Sequence, residues 1–129
     1  MIHVLAVPEK NSKNAMGNKV INLRFRKKDR DIFENIRNGN KVVETRAATA
    51  RFKNIESGDA VVFVCGRDKF VKKVKNVRIF KSIPAMLKRY KAEQISPQAK
   101  SKEELEKMYY SFPNYREKIK KFGLVAFDF

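Results

Sequence analysis

Short apolar runs separated by brief polar turns place the strongest constraint on the fold of this chain. Residues 60–65 are almost all apolar, and the turn signal Gly66-Arg67-Asp68 follows them directly. Runs of this length bounded by a glycine turn are typical of buried strands in hairpins. Connections this short cannot hold the crossover that parallel neighbours require. We therefore expect the strands to pair mostly antiparallel.

The same patterning predicts the other elements. Strands are expected over residues 2–7, 20–25, 41–46 and 124–129, and residues 69–80 are β-rich with one bulge. Helical spacing predicts helices over residues 29–37, 82–90, 101–110 and 114–121. The expected class is α+β, a small and mainly antiparallel sheet or barrel with helices packed on it. Residues 1–129 form one domain in this interpretation, with 1–18 as an added strand and loop.

The chain also carries a large excess of positive charge. It has 30 Lys and Arg against 14 Asp and Glu, a net charge of +16 over 129 residues. The excess is concentrated at +5 over residues 19–30 and +6 over residues 66–81. Such a surface attracts polyanions, and nucleic acid is the usual one. A basic surface with no binding role, or lysines that protect edge strands from aggregation, are the alternatives.

Composition makes several kinds of site and segment improbable. One Cys and one His cannot build a zinc site, an iron–sulfur site or a disulfide. The five glycines have no phosphate-loop spacing. No apolar run approaches the roughly 18–20 residues of a membrane span, and the N-terminus lacks the pattern of a signal peptide. We expect no metal, no cofactor, no membrane segment and a reducing, cytoplasmic setting.

Candidate catalytic residues lie on the strand that follows Gly39. Glu44 and Arg46 are two apart and share one strand face, so the guanidinium can hold the carboxylate in a fixed orientation. Lys41, if desolvated, can act as a general base or activate water. Lys41 and Glu44 are therefore the predicted catalytic pair. The alternative is a bracing ion pair beside an ordinary surface lysine.

Nucleic-acid contacts are expected along the same strand and along the basic strand that follows. Glu44 can accept an N–H from a base, and Arg46 can hold a phosphate or a base edge. Nearby aromatic rings such as Phe52 could stack on unpaired bases, or they could be core. The predicted nucleic-acid-binding residues are Lys41, Glu44, Arg46, Thr49, Arg51, Lys72, Lys73 and Lys75.

The order of these pieces resembles the ASCH domain family, whose fold is similar to the PUA barrel. The matching pieces are Gly39-x-Lys41-x-x-Glu44-x-Arg46, Ile55-x-x-Gly58-Asp59, the basic strand from Val71 to Val77, Glu103-Glu104-Leu105 with Tyr109-Tyr110, and the final glycine-led strand from Gly123 to Phe127. The resemblance covers residues 19–129. It implies a PUA-like β-barrel with a cleft beside the Lys41–Arg46 strand that binds RNA.

Some members of that family are enzymes. One branch looks like an amidohydrolase of acetylated cytidine that uses a Lys, a Thr and a Glu, and another has been described as a ribonuclease. Lys41 matches the lysine, but Glu44 stands where the threonine would be, and Thr45 is expected on the other strand face. Glu93 and Glu103 are candidates for the glutamate. The expected function is an RNA-binding module, with an enzyme on RNA or a modified nucleoside second and a protein-interaction module third.

Overall fold

The structure, a computed structural model, describes residues 12–13 and 18–129 of the chain. The predicted strand over residues 2–7 lies outside this part. The described elements in chain order are β1 (Ser12–Lys13), β2 (Lys19–Phe25), α1 (Arg30–Arg37), β3 (Val43–Ala47), β4 (Ala60–Cys65), β5 (Asp68–Lys73), β6 (Asn76–Phe80), α2 (Ile83–Met86), α3 (Ala92–Ile95), α4 (Lys102–Tyr110), α5 (Tyr115–Phe122) and β7 (Leu124–Asp128).

The first sheet has the strand order β1-β2-β4-β5, in which β1 is only two residues long. The predicted hairpin is confirmed, since β4 and β5 pair antiparallel around the turn at Gly66. However, β2 and β4 run parallel, with Val20 beside Ala60 and Phe25 beside Cys65. The expectation of antiparallel pairing is wrong here because the chain leaves β2 through α1 and β3 before it returns. This connection is long enough for a crossover.

The second sheet has the order β3-β7-β6 and is antiparallel throughout. The chain moves from the first sheet to the second at residues 74–75. The backbone N–H of Val74 donates to Asp59 O at 2.8 Å, and that of Lys75 donates to Asp128 O at 2.7 Å. The β-rich segment over residues 69–80 is therefore two strands in two sheets, and the prediction of a single bulged strand is wrong.

The expected closed β-barrel, PUA-like or otherwise, is also wrong, because the fold is α+β with two open sheets. Side chains occupy the outer edge of β3, where a barrel would need another strand. Lys41 Nζ donates to Val43 O, and Ala47 N–H donates to the Tyr115 hydroxyl at 3.2 Å. Helices α3 and α5 pack along the same strand. These contacts occupy Val43 O and Ala47 N–H at the strand edge, and among the described residues β3 pairs with β7 and forms no ladder with the first sheet.

Two hydrophobic cores lie on opposite faces of the second sheet. One contains Phe33, Phe63 and Phe127 between the two sheets and α1. The other lies between the second sheet and the C-terminal helices, and Leu105 and Leu124 are buried in it. Because successive side chains of β7 alternate between the two cores, that strand is apolar from residue 124 to residue 127.

Helix signals in the C-terminal third are partly confirmed. Ser82 Oγ accepts a hydrogen bond from Ala85 N–H, and Ser101 Oγ accepts one from Glu104 N–H, each at 3.2 Å. These serines begin α2 and α4 as predicted. Helix α2 ends at Met86 rather than near residue 90, and the one-turn α3 was not predicted. None of the helices in the described ranges is long and apolar enough to cross a membrane.

Candidate functional site

A cavity of about 320 Å³ opens where the end of β2, the strand β3 and the C-terminal helices meet. Its walls are largely aromatic and aliphatic, and cationic side chains lie among them. We call it the first pocket. Its lining residues include Arg24, Phe25, Arg26, Ile32, Lys41, Glu44, Thr45, Arg46, Ile95, Ser96, Met108, Tyr109, Phe112 and Tyr115.

Three charged side chains from one short segment form the polar part of this pocket. Lys41 Nζ lies 3.2 Å from Glu44 Oε1. Glu44 Oε2 accepts from Arg46 Nε at 3.1 Å and lies 3.0 Å from Arg46 Nη2. The turn at Gly39, which has φ of +87°, brings Lys41 back beside the start of β3. The predicted Lys41, Glu44 and Arg46 are thus in contact, with the carboxylate between two cations.

Lys41 is the most unusual member because it is a lysine with only 5% of its surface exposed. Burial lowers the pKa of the Lys41 ammonium, and the charge of Glu44 only partly opposes that effect. A lysine with a lowered pKa at a pocket wall gives up its proton more readily than an ordinary one. The arrangement therefore supplies a carboxylate and a proton-exchanging amine at one wall.

Two tyrosines bring hydroxyl groups to the same pocket. The Tyr109 hydroxyl is hydrogen-bonded to Thr45 Oγ1. Burial raises the pKa of Tyr109, so this phenol stays protonated. Thr45 does lie on the other strand face from Glu44, as expected, yet it lines the pocket because β3 is an edge strand beside α4. The Tyr115 ring lies parallel to that of Tyr109, with 6.3 Å between the ring centres.

Arg46 is held between aromatic rings at the pocket mouth. Its guanidinium carbon lies 5.5 Å from the centre of the Phe25 ring and 5.9 Å from that of Phe52. Arg51 approaches Phe52 to 5.0 Å, and its guanidinium donates to Asn22 O. Partial burial and the neighbouring Arg46 lower the pKa of Arg51. Two of the predicted binding arginines therefore form one cationic cluster.

The other predicted binding residues lie away from the first pocket. Lys73 pairs with Ala60 and Lys72 with Val61, at the opposite end of the first sheet from Phe25. Lys75 lines a separate hollow beside β7. Thr49 does not line the pocket. It lies in a turn, where its backbone carbonyl accepts hydrogen bonds from Phe52 N–H and Lys53 N–H. The resemblance-based candidates Glu93 and Glu103 are exposed and line neither cavity.

Sequence reasoning missed the half of the pocket supplied by other elements. Arg24 and Arg26 lie in the basic stretch over residues 19–30 without a predicted place in a site. Tyr109 belongs to the family resemblance only as part of Tyr109-Tyr110, and no pattern marks Tyr115. Helix α3, which contributes Ile95, was not predicted. Arg24 lies in β2 and Arg26 in the extended residue just after it, so strand alternation places both on one face and was a usable signal for the two arginines. No sequence pattern indicated that α4 would lie against β3.

Among the described residues, no group of three or more His, Cys, Asp and Glu side chains lies close enough together to hold a metal ion. Asp59, which belongs to the Gly58-Asp59 part of the resemblance, is buried, and its role is structural. Its carboxylate accepts from the backbone N–H of Lys19 at 2.8 Å and of Glu56 at 2.7 Å. It therefore ties the start of β2 to the turn before β4 and contributes nothing to the pocket.

The fold and the pocket define this chain as an α+β protein whose two open sheets and C-terminal helices enclose a pocket with buried charges. The crystal structure of the hypothetical protein PH0355 matches it with a TM-score of 0.71 and 31% identity, over 84% of this chain and 95% of that one. This chain belongs to the same family as PH0355. The solution NMR structure of PF0455 from Pyrococcus furiosus matches with a TM-score of 0.64 and 30% identity, over 84% and 94%. No family model and no curated protein matches the sequence.

Proposed function

We propose that this protein binds single-stranded RNA by taking one unpaired base into the first pocket. Flanking phosphates then contact the arginines at its mouth. The observation that carries the proposal is the pocket itself, in which the aromatic walls enclose the Lys41–Glu44–Arg46 cluster on a chain of net charge +16. A cytoplasmic location, which gives access to RNA, is part of the proposal.

The pocket chemistry suits a nucleobase. Phe112 and Tyr115 offer ring surfaces for stacking, which is worth about 1–3 kcal/mol per base in single-strand binding. Glu44 offers an acceptor for an exocyclic N–H, and the protonated Tyr109 hydroxyl offers a polar contact. A volume of about 320 Å³ lies near the lower end of the range of small-ligand pockets. We infer that one base or nucleoside enters, and not a base pair.

The mouth of the pocket favours a negatively charged strand. Arg24 and Arg26 are exposed, and Arg46 is one-quarter exposed. Arg26 is partly neutralised by Asp29, at 2.8 Å, and Arg46 by Glu44, at 3.0 Å. Arg24 has no carboxylate partner within 4.0 Å among the described residues, so it is the main phosphate contact of the proposal, with Arg46 beside it. Binding driven by such contacts weakens as salt rises.

The test is fluorescence anisotropy with labelled single-stranded RNA, single-stranded DNA and duplex RNA at low and moderate salt. The blocking variant is Ser96→Trp, which fills the pocket from the α3 side without changing the charge. Asn54→Trp is the control, because Asn54 is exposed and lines neither cavity. We expect wild type and Asn54→Trp to bind single-stranded RNA equally, and Ser96→Trp to bind at least about tenfold more weakly, as expected from losing one stacked base.

Three results would overturn the proposal. Absence of RNA binding by the wild type at low salt would remove it outright. Equal affinities for wild type and Ser96→Trp, with both folded by circular dichroism, would show that RNA binds elsewhere. Equally tight duplex binding would argue against an unpaired base in the pocket.

A second candidate function is hydrolysis of RNA or of a modified nucleoside such as acetylated cytidine. The buried Lys41 amine with its lowered pKa, in contact with Glu44, favours it. The test incubates the protein with acetylated cytidine and with labelled RNA, beside Lys41→Met as the control. Turnover by the wild type that is lost in Lys41→Met would support an enzyme. Equal inertness of the two proteins would eliminate this candidate.

A further inference from the structure

A second hollow, of about 260 Å³, lies next to the first pocket on the other side of α3. Gln94 of α3 lines the second hollow, whereas Ile95, the next residue, lines the first pocket. The segment before β3 divides in the same way, since Lys41 lines the first pocket and Val42 the second hollow. One turn of helix, about 10–12 Å across with its side chains, therefore separates the two cavities.

The floor of the second hollow is a rigid polar network. Asp128 accepts from Arg78 Nη1 at 2.8 Å on one carboxylate oxygen and from the Tyr90 hydroxyl at 2.8 Å on the other. Arg78 also donates to the Tyr90 hydroxyl at 3.0 Å. The charge of Asp128 is thus already balanced by Arg78, and both its oxygens are engaged. It leaves little negative potential to oppose an incoming anion.

The rim of the second hollow has cations with no carboxylate partner. Lys75 and Arg89 are exposed, and no acidic side chain of the described residues lies within 4.0 Å of either. The backbone of Lys75 is fixed from two sides, by the bond from its N–H to Asp128 O and by the Ser57 hydroxyl, which donates to Lys75 O at 2.7 Å. Arg89 lies over the Tyr90 ring, 5.4 Å from its centre.

Neutral donors and an apolar surface complete the rim. Gln94 Oε1 accepts from Lys91 N–H at 2.8 Å, which orients the amide and leaves its NH₂ group as a donor. Asn76 lies beside Lys75, and Val42 exposes 49% of its surface at the edge of the hollow. Two cations, amide donors and a small apolar surface are the combination that contacts a sugar–phosphate backbone.

We propose that the second hollow is a phosphate subsite for the RNA whose base occupies the first pocket. This inference rests on the proposed function. The strand crosses α3, and Lys75 and Arg89 hold the backbone of the adjoining nucleotides. Lys75, a predicted binding residue that does not line the first pocket, would then contact the RNA in the second hollow. It also sets a minimum ligand length, because a single nucleoside cannot reach both cavities.

The experiment measures the salt dependence of binding for a labelled single-stranded RNA of about ten nucleotides. Lys75→Gln/Arg89→Gln removes the two rim cations. Lys102→Gln/Lys107→Gln is the matched control, because these exposed lysines of α4 line neither cavity. Each phosphate contact contributes about 0.7 to the slope of log affinity against log salt for single strands. For Lys75→Gln/Arg89→Gln, which we call the rim variant, the slope should be smaller than that of wild type by about 1.4. Between about 50 and 200 mM salt, the factor by which affinity falls should therefore be about seven times smaller for the rim variant than for wild type.

A second ligand separates this inference from the proposed function. A nucleoside monophosphate reaches only the first pocket, so the rim variant should bind it as wild type does while binding the oligonucleotide more weakly. If the rim variant and the lysine control have the same slope, the subsite is wrong although RNA binding stands. If the rim variant loses the mononucleotide as well, the two cavities are not separate subsites. If the wild type binds no RNA at low salt, the proposed function and this inference fail together.

Discussion

Two charge clusters on the same sheet place a carboxylate between two donors, but they differ in burial. In the first, on β3, the side chains of Lys41 and Glu44 are 5% and 8% exposed. In the second, across β6 and β7, the side chains of Arg78 and Asp128 are 30% and 21% exposed. The hydrogen-bonding pattern is similar although the cations differ, so burial is the main contrast between the two clusters.

Burial lowers the pKa of the cation in both clusters, but the net pKa shifts have opposite signs. It outweighs the attraction of Glu44 and lowers the pKa of Lys41. In the second cluster, the bonds to Tyr90 and Asp128 outweigh desolvation and raise the pKa of Arg78. The lysine of the first cluster therefore loses its proton at a lower pH than an ordinary lysine, whereas the arginine of the second cluster stays charged. This is why we assign ligand chemistry to the first and a supporting role to the second.

The largest expected effect is on stability when the buried carboxylate loses its charge. Glu44→Gln leaves the Lys41 ammonium buried without its closest counter-charge, which should cost about 3 kcal/mol in the free energy of unfolding. Asp128→Asn should cost clearly less, because Arg78 is partly solvated. Urea unfolding of both variants at pH 7 measures the difference.

The double variant Lys41→Met/Glu44→Gln is the control for this prediction. It removes the uncompensated ammonium and should be more stable than Glu44→Gln alone. Equal losses for Glu44→Gln and Asp128→Asn would contradict the comparison, since burial would then make no difference between the clusters.

The contact between Glu44 and Arg46 could be anticipated from the sequence, because strand alternation is a local rule. The strand predicted over residues 41–46 places Lys41 on the opposite face from Glu44, and that part of the prediction is wrong because β3 begins only at Val43, which leaves Lys41 free to reach Glu44. The strands β3, β4 and β7 were themselves predictable from local patterns. The remainder of the pocket depended on non-local packing. Tyr109 reaches Thr45 across 64 positions of sequence, and no local pattern encodes that contact.

The closed barrel is wrong: the short connections allowed either a sheet or a barrel, and the family resemblance implied the PUA-like barrel. At β3, the side chains of Lys41 and Tyr115 bond to the strand edge at which a barrel would add its next strand. The sheet switch at Val74 and Lys75 has a similar origin, since successive backbone N–H groups bond to different sheets. Which partner a backbone group finds is a property of the assembled fold, and hydrophobic periodicity does not report it.

The next prediction concerns how the free energy of unfolding changes with pH because of Lys41, the buried cation of the first cluster. The pKa of Lys41 is lowered in the folded protein from an ordinary value of 10.5. Between the two values, the unfolded chain binds more protons at this site than the folded one, so this group makes stability rise with pH. The free energy of unfolding of wild type relative to Lys41→Met should therefore increase from pH 7 toward pH 10.5.

The subtraction of Lys41→Met removes the effect of the other lysines, whose titration also relieves the repulsion from a net charge of +16. Urea unfolding of both proteins at several pH values provides the measurement. A difference that stays constant over this range would mean that Lys41 titrates as an exposed lysine does, and its role as a proton-exchanging group would be lost.

The smallest expected effect concerns how salt changes the stability cost of losing one contact. It compares the neutral Tyr109–Thr45 hydrogen bond of the first pocket with the partly exposed Arg78–Asp128 ion pair of the second cluster. Tyr109→Phe removes the hydroxyl bonded to Thr45 and should cost about 1 kcal/mol in the free energy of unfolding, the usual net value of such a bond. Because both partners are neutral, the cost should be the same at low and high salt. The cost of Asp128→Asn should shrink as salt rises, because screening weakens a partly exposed pair. Urea unfolding with and without about 1 M sodium chloride, where the screening length is about 3 Å, measures the cost of each variant. A cost of Tyr109→Phe that changes with salt would contradict the prediction and show that the hydroxyl is coupled to the Lys41–Glu44–Arg46 charges.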